Sequence, residues 1–95
     1  MADIEIYSTA ICPYCNAAKN LLKSKGLEWR ELRIDMDPEA RKAMAERTHG
    51  ARTVPQIFVN GTLVGGFEQL AAAERSGKLN ELLGNPKLPE GGAPA

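Results

Sequence analysis

Cys12 and Cys15 stand three positions apart and are the only cysteines in the 95-residue sequence. A disulfide between them closes so short a loop that it removes little entropy from the unfolded chain, so it makes a poor structural staple. The residues after Cys12 read as the start of a helix. Pro13 suits a first turn, and Ala17, Ala18, Leu21 and Leu22 form an apolar stripe behind it. Cys12 then falls at or just before the first helical residue, where unpaired backbone N–H groups and the helix dipole favour negative charge. A thiolate there is stabilised and nucleophilic near neutral pH. Cys15, one turn on and deeper, is placed to resolve whatever Cys12 bonds to. The pair therefore points to thiol–disulfide exchange. Zinc fits poorly, since a site needs about four ligands and His49 is the sole histidine. A structural disulfide and two inert packed thiols remain as plainer readings.

The elements that position the pair follow from patterning. Ile4, Ile6 and Ser8 alternate with Asp3, Glu5 and Tyr7, which predicts a strand ahead of the cysteines. Gly26 suits the C-cap of the first helix, and Leu27 to Ile34 reads as a second strand at a sheet edge. Asp37-Pro38-Glu39 begins a helix with a cap acceptor, a first-turn proline and an acid; Ala40, Ala43 and Met44 supply its buried side, and Gly50 ends it. Gln56 to Val59 and Thr62 to Val64 flank Asn60-Gly61, a strong type I′ hairpin signal. Helical pieces follow over Phe67 to Arg75 and about Lys78 to Leu83. A parallel pair from the first strand–helix–strand unit and an antiparallel hairpin predict an α/β fold: one mixed four-stranded sheet covered by helices on both faces.

Twelve basic residues balance twelve acidic ones, which argues against a broad nucleic-acid footprint. No basic, apolar leader and no long apolar run are present, so the expected setting is cytoplasmic, with no membrane partner. There, paired cysteines are catalytic or metal-binding. Residues 1–83 are read as the domain. Residues 84–95 hold three prolines and three glycines and are read as a flexible tail. His49 near a helix end and Trp29 on the second strand have ordinary capping and packing readings. Lys19, Lys23, Lys25, Arg41, Lys42 and Arg47 are expected on solvated helix faces.

Cys12-Pro13-Tyr14-Cys15 after Ile4-Glu5-Ile6-Tyr7, then Thr53-Val54-Pro55, then Gly65-Gly66, resembles a dithiol glutaredoxin of the small single-domain type. One Cys-X-X-Cys alone is a weak signal; the three motifs in order, over about residues 3 to 83, are specific. The resemblance implies a thioredoxin fold and a glutathione-dependent thiol–disulfide oxidoreductase. Such an enzyme reduces protein–glutathione mixed disulfides and protein disulfides through catalytic Cys12 and Cys15. It implies no permanently bound cofactor, no metal, glutathione as the reducing co-substrate, and a monomer whose partners are glutathione and glutathionylated or disulfide-containing proteins. It also implies a cis Pro55. Glutathione contacts are implied from Tyr14, Thr53, Val54 and Pro55, and from Gly66, Phe67 and Glu68 at a helix start that receives the γ-glutamyl carboxylate. Lys42 and Arg52 match positions that supply cations for the glycine-end carboxylate.

Two departures stand out. Thr9 occupies a position where many relatives carry lysine, and Glu68-Gln69 replaces a more usual acidic pair or Ser-Asp. Weaker glutathione binding than in a lysine-bearing relative is expected. Two other readings share the same residues: a glutathione-ligated iron–sulfur carrier, and a thioredoxin-like reductant fed by a flavoenzyme. The Pro13-Tyr14 spacer makes both less favourable, and Gly65-Gly66 also argues against the latter.

Overall fold

A computed structural model describes residues 3–84. The chain runs β1 (Ile4–Ser8), α1 (Pro13–Ser24), β2 (Arg30–Arg33), α2 (Pro38–Arg47), β3 (Gln56–Val59), β4 (Thr62–Gly65), α3 (Phe67–Ser76) and α4 (Lys78–Leu82). The tail expected over 84–95 lies, past Gly84, outside the described residues.

Local chemistry accounts for the boundaries. Asp37 caps α2 by accepting from the Glu39 N–H at 3.0 Å, with Pro38 opening the helix. α1 closes in a Schellman arrangement around Gly26: its N–H donates to Lys23 O at 2.9 Å, and that of Leu27 to Leu22 O at 3.0 Å. That closure uses Leu27, which is why the second strand begins at Arg30 rather than at Leu27 as the sequence suggests. Trp29 packs against the core just before it. The hairpin turn has positive φ at both Asn60 (52°) and Gly61 (84°), as a type I′ turn requires.

The sheet order is β2-β1-β3-β4; β1 pairs parallel with β2 and antiparallel with β3, which pairs antiparallel with β4. One face buries Ile4, Ile6, Ile57 and Val59 against Ala18 and Leu22 of α1, Leu70 and Ala73 of α3 and Leu79 of α4. The other buries Tyr7 and Phe58 against Ala40 and Met44 of α2. Helices thus cover both faces of a mixed four-stranded sheet, the thioredoxin-like arrangement. Because β1, β2 and β4 end where β3 begins, four segments share one end of the sheet. In sheet order these are residues 34–37, 9–12, 53–55 and 66–69.

Several basic residues depart from the solvated faces expected of them. Arg47 lies over the Phe58 ring at 3.9 Å and donates to Tyr7 OH and Glu5 Oε1, each at 2.9 Å. Its guanidinium thereby ties α2 to β1 and β3, using cation–π attraction and charge-assisted bonds together. Lys19 pairs with Glu31 at 3.0 Å and Lys25 with Glu74 at 2.8 Å.

Candidate active site

Cys12 ends the segment after β1 and is the N-cap of α1. Its Sγ accepts from the Cys15 N–H at 3.1 Å, so a sulfur fills the role an Asn or Ser oxygen usually takes there. Cys12 and Cys15 are joined as a disulfide, with Cα atoms 5.1 Å apart. The two sulfurs are not equivalent. Cys15 has no exposed surface, whereas Cys12 retains 8%. An external thiol or disulfide can therefore meet Cys12 first. No acidic residue occupies the first turn of α1, so nothing there opposes a negative charge on Cys12.

A groove of about 220 Å³ lies beside this pair, lined by Tyr14 from α1, Thr53, Val54 and Pro55 before β3, and residues 66–69. The Val54 carbonyl oxygen is 3.7 Å from Cys12 Sγ, which joins the groove to the reactive sulfur. The Val54–Pro55 peptide is cis, as the resemblance implies. Tyr14, 61% exposed, stands against Phe67 with ring centroids 6.3 Å apart. The two rings form an apolar wall on one side.

The far wall is the start of α3. Gly66 is its N-cap and has no side chain to offer the first-turn amides. Gln69 Oε1 turns back to accept from the Gly66 N–H at 2.9 Å, which is half of a capping box. The Phe67 and Glu68 amides thus remain at the helix start without a capping side chain, an arrangement suited to an anion. Gly65, at φ +118°, makes the turn possible; a Cβ there would stand 3.0 Å from Gln69 Cγ.

The structure brings Tyr14, Thr53, Val54, Pro55, Gly66, Phe67 and Glu68 to one groove beside Cys12. Lys42 and Arg52 are exposed and lie outside its lining. Two glutamines lie outside the site residues that the resemblance implies. Gln69 lines the groove, and its position three residues after an N-cap glycine is the signal that would have found it. Gln56, 8% exposed, donates to Thr53 O at 3.1 Å and fixes the turn that carries Val54. No residue pattern advertises that contact.

Behind Cys12, Ala10 N–H donates to Asp35 Oδ2 at 3.1 Å, and Arg33 holds both Asp35 oxygens at 2.8 Å. These Arg33 bonds hold the Asp35 carboxyl well below the usual carboxylate range. The buried Ser8 hydroxyl donates to Glu31 at 2.6 Å and, with Lys19, lowers the Glu31 pKa. Among the described residues, no group of three or more His, Cys, Asp or Glu side chains is disposed to hold a metal ion, and no helix is long and apolar enough to cross a membrane.

Known proteins resemble this chain in sequence and fold. The glutaredoxin family model matches residues 4–64. A probable glutaredoxin of Synechocystis is 49% identical over 88 residues, 93% of this chain and 81% of its own length. The solution structure of a Brucella melitensis glutaredoxin superposes with a TM-score of 0.74 at 46% identity, covering 87% of this chain and 89% of that one. A crystal structure of a buckwheat glutaredoxin–glutathione complex gives a TM-score of 0.77 at 27% identity, over 87% and 77% of the two chains. With its redox-active cysteine pair at the start of α1, the chain belongs to the glutaredoxin family and carries that family's thiol–disulfide oxidoreductase chemistry.

Proposed function

We propose that the protein is a glutathione-dependent oxidoreductase that reduces protein–glutathione mixed disulfides and protein disulfides. The observation that carries this reading is the unequal exposure of Cys12 and Cys15 beside a groove that ends on uncapped helix amides. In the monothiol route, the Cys12 thiolate attacks the glutathione sulfur of a mixed disulfide. A Cys12–glutathione bond forms, the bond to the protein cysteine breaks, and that cysteine leaves as a thiolate that takes up a proton. A second glutathione thiolate then attacks the adduct, giving oxidised glutathione and restoring Cys12. In the dithiol route, Cys12 bonds to one sulfur of a protein disulfide. Cys15 displaces that protein, leaving the Cys12–Cys15 disulfide for two glutathiones to reduce.

Glutathione is peptide-like and carries a carboxylate at each end, and each property has a counterpart here. Val54 backbone groups, outside the β3 ladder, pair with its peptide backbone, next to Thr53 and Pro55. The Phe67 and Glu68 amides beyond Gly66 receive its γ-glutamyl carboxylate. Tyr14 flanks its sulfur. Lys42 and Arg52 act on the glycine-end carboxylate from outside the groove as long, solvated cations. The buckwheat relative's glutathione complex supports this assignment. A monomer working in the cytoplasm, where glutathione keeps thiols reduced, suits this chemistry.

The test is turnover of the cysteine–glutathione mixed disulfide, with glutathione recycled by glutathione reductase and NADPH. Activity that rises with glutathione and vanishes without it is expected. Equal turnover with thioredoxin reductase and no glutathione would favour a flavoenzyme-fed reductant instead.

A further inference from the structure

Ile11 and Met36 are the most exposed large apolar side chains among the described residues, at 92% and 74%. Single exposed apolar residues are ordinary. These two, however, sit on adjoining segments at the reacting end of the sheet, fastened together by the Ala10–Asp35 hydrogen bond and by the Ile34 N–H, which donates to Ser8 O at 3.0 Å. The strand order sets residues 34–37 beside 9–12, on the side of Cys12 away from the groove. The reactive sulfur therefore lies between the groove and an apolar rim. Asp37, the α2 cap, follows Met36, and Glu39 stands two positions further on. Unlike Asp35, neither is in an ion pair among the described residues.

We infer that the Ile11–Met36 rim, with Asp37 and Glu39 beyond it, is the docking surface for the polypeptide of a disulfide substrate while that polypeptide is joined to Cys12. The segment it favours has a bulky apolar residue beside its cysteine and a basic residue further on. This rests on the reading of Cys12 as the nucleophile. Charge selects the occupant. Glutathione carries a carboxylate at each end and is repelled by Asp37, the α2 cap, and by Glu39, neither of them neutralised by an ion pair, and a second copy of this chain would oppose acid to acid. A polypeptide continues past its cysteine in both directions, so it must cover surface on both sides of Cys12. On attack, a Cys12–polypeptide disulfide forms, the original disulfide breaks, and the other sulfur leaves as a thiolate that is then protonated.

The experiment compares kcat/KM for two symmetric disulfides of short single-cysteine peptides, with the cysteine–glutathione mixed disulfide as the small substrate. One peptide has Leu beside its cysteine and Lys further on; the other has Asp and Glu at those places. Wild type should favour the Leu/Lys peptide about tenfold, the worth of burying part of one apolar side chain. The Ile11→Ser, Met36→Ser double variant should narrow that ratio to about twofold, with small-substrate turnover changed less than about twofold. Glu39→Lys should reduce the preference through charge alone, and salt should do the same in wild type. No preference in wild type, or one that survives the double variant, overturns the inference. Failure of wild type on the small disulfide would instead overturn the proposed function on which it rests.

Discussion

The backbone N–H of Cys15 donates to the sulfur of Cys12 at 3.1 Å, while the sulfur of Cys15 has no exposed surface. One residue thus supplies both a hydrogen bond for its neighbour's charge and a protected thiol to follow. In the reduced protein that N–H and the rest of the first helical turn favour the Cys12 thiolate. Alkylation by iodoacetamide should therefore modify Cys12 first, with a pH profile below the ordinary thiol range, and leave Cys15 intact until the protein is unfolded. Mass spectrometry of peptides from a pH series checks this. Equal labelling of both cysteines in the folded protein contradicts it.

The turn into α3 makes a contrast between adjacent glycines. Gly65 has φ +118°, and a Cβ there would meet Gln69 Cγ at 3.0 Å, so Gly65→Ala should cost about 1–3 kcal/mol in urea unfolding. At Gly66 an added Cβ would meet Gln69 Oε1 at 3.3 Å and Pro55 O at 3.5 Å. Gly66→Ala should cost under about 1 kcal/mol in stability while raising KM for glutathione, because the methyl enters the groove.

Much of this arrangement was legible in the sequence because it depends on local chemistry. Asp37-Pro38, Asn60-Gly61 and the Cys12–Pro13 helix start each announce their conformation within a few residues, and all three occur as expected. What could not be read depends on contacts across the fold. Leu27 looks like a strand residue until Gly26 draws it into the closure of α1. Arg47 looks solvated until Tyr7 and Phe58 are placed beneath it by two other elements. Gln56 could be any buried strand residue, and its hold on Thr53 exists only because the chain turns back just before β3.

Acid should loosen the segment behind Cys12. Asp35 in the folded protein titrates below its unfolded value, through its bonds to Arg33 and then Ala10. A lowered value stabilises the fold above the unfolded pKa near about 4, and that contribution is lost as pH falls through the folded value. Hydrogen exchange of the Ala10 amide should accordingly lose protection below pH about 4, relative to amides in β1. In Asp35→Asn that acid step should disappear. An Ala10 amide equally protected across the range would show that the clamp does not depend on charge.

Thr9 offers a gain-of-binding test. A lysine there would add a cation three residues before the reactive sulfur, favouring both the thiolate and the anionic glutathione. Thr9→Lys should lower KM for glutathione a fewfold and move Cys12 alkylation to lower pH, with both effects weakened by salt. No change in either quantity would mean that position 9 is too distant or too solvated to act on the sulfur.

The most direct test of the account separates the two cysteines by substrate. Cys12→Ser and Cys15→Ser should each be assayed on the cysteine–glutathione mixed disulfide and on a protein disulfide, with glutathione as the reductant. Cys12→Ser should lose both activities. Cys15→Ser should keep mixed-disulfide turnover within a fewfold of wild type and lose most protein-disulfide reduction. Equal loss of both activities in Cys15→Ser, or survival of either in Cys12→Ser, would contradict the assigned roles.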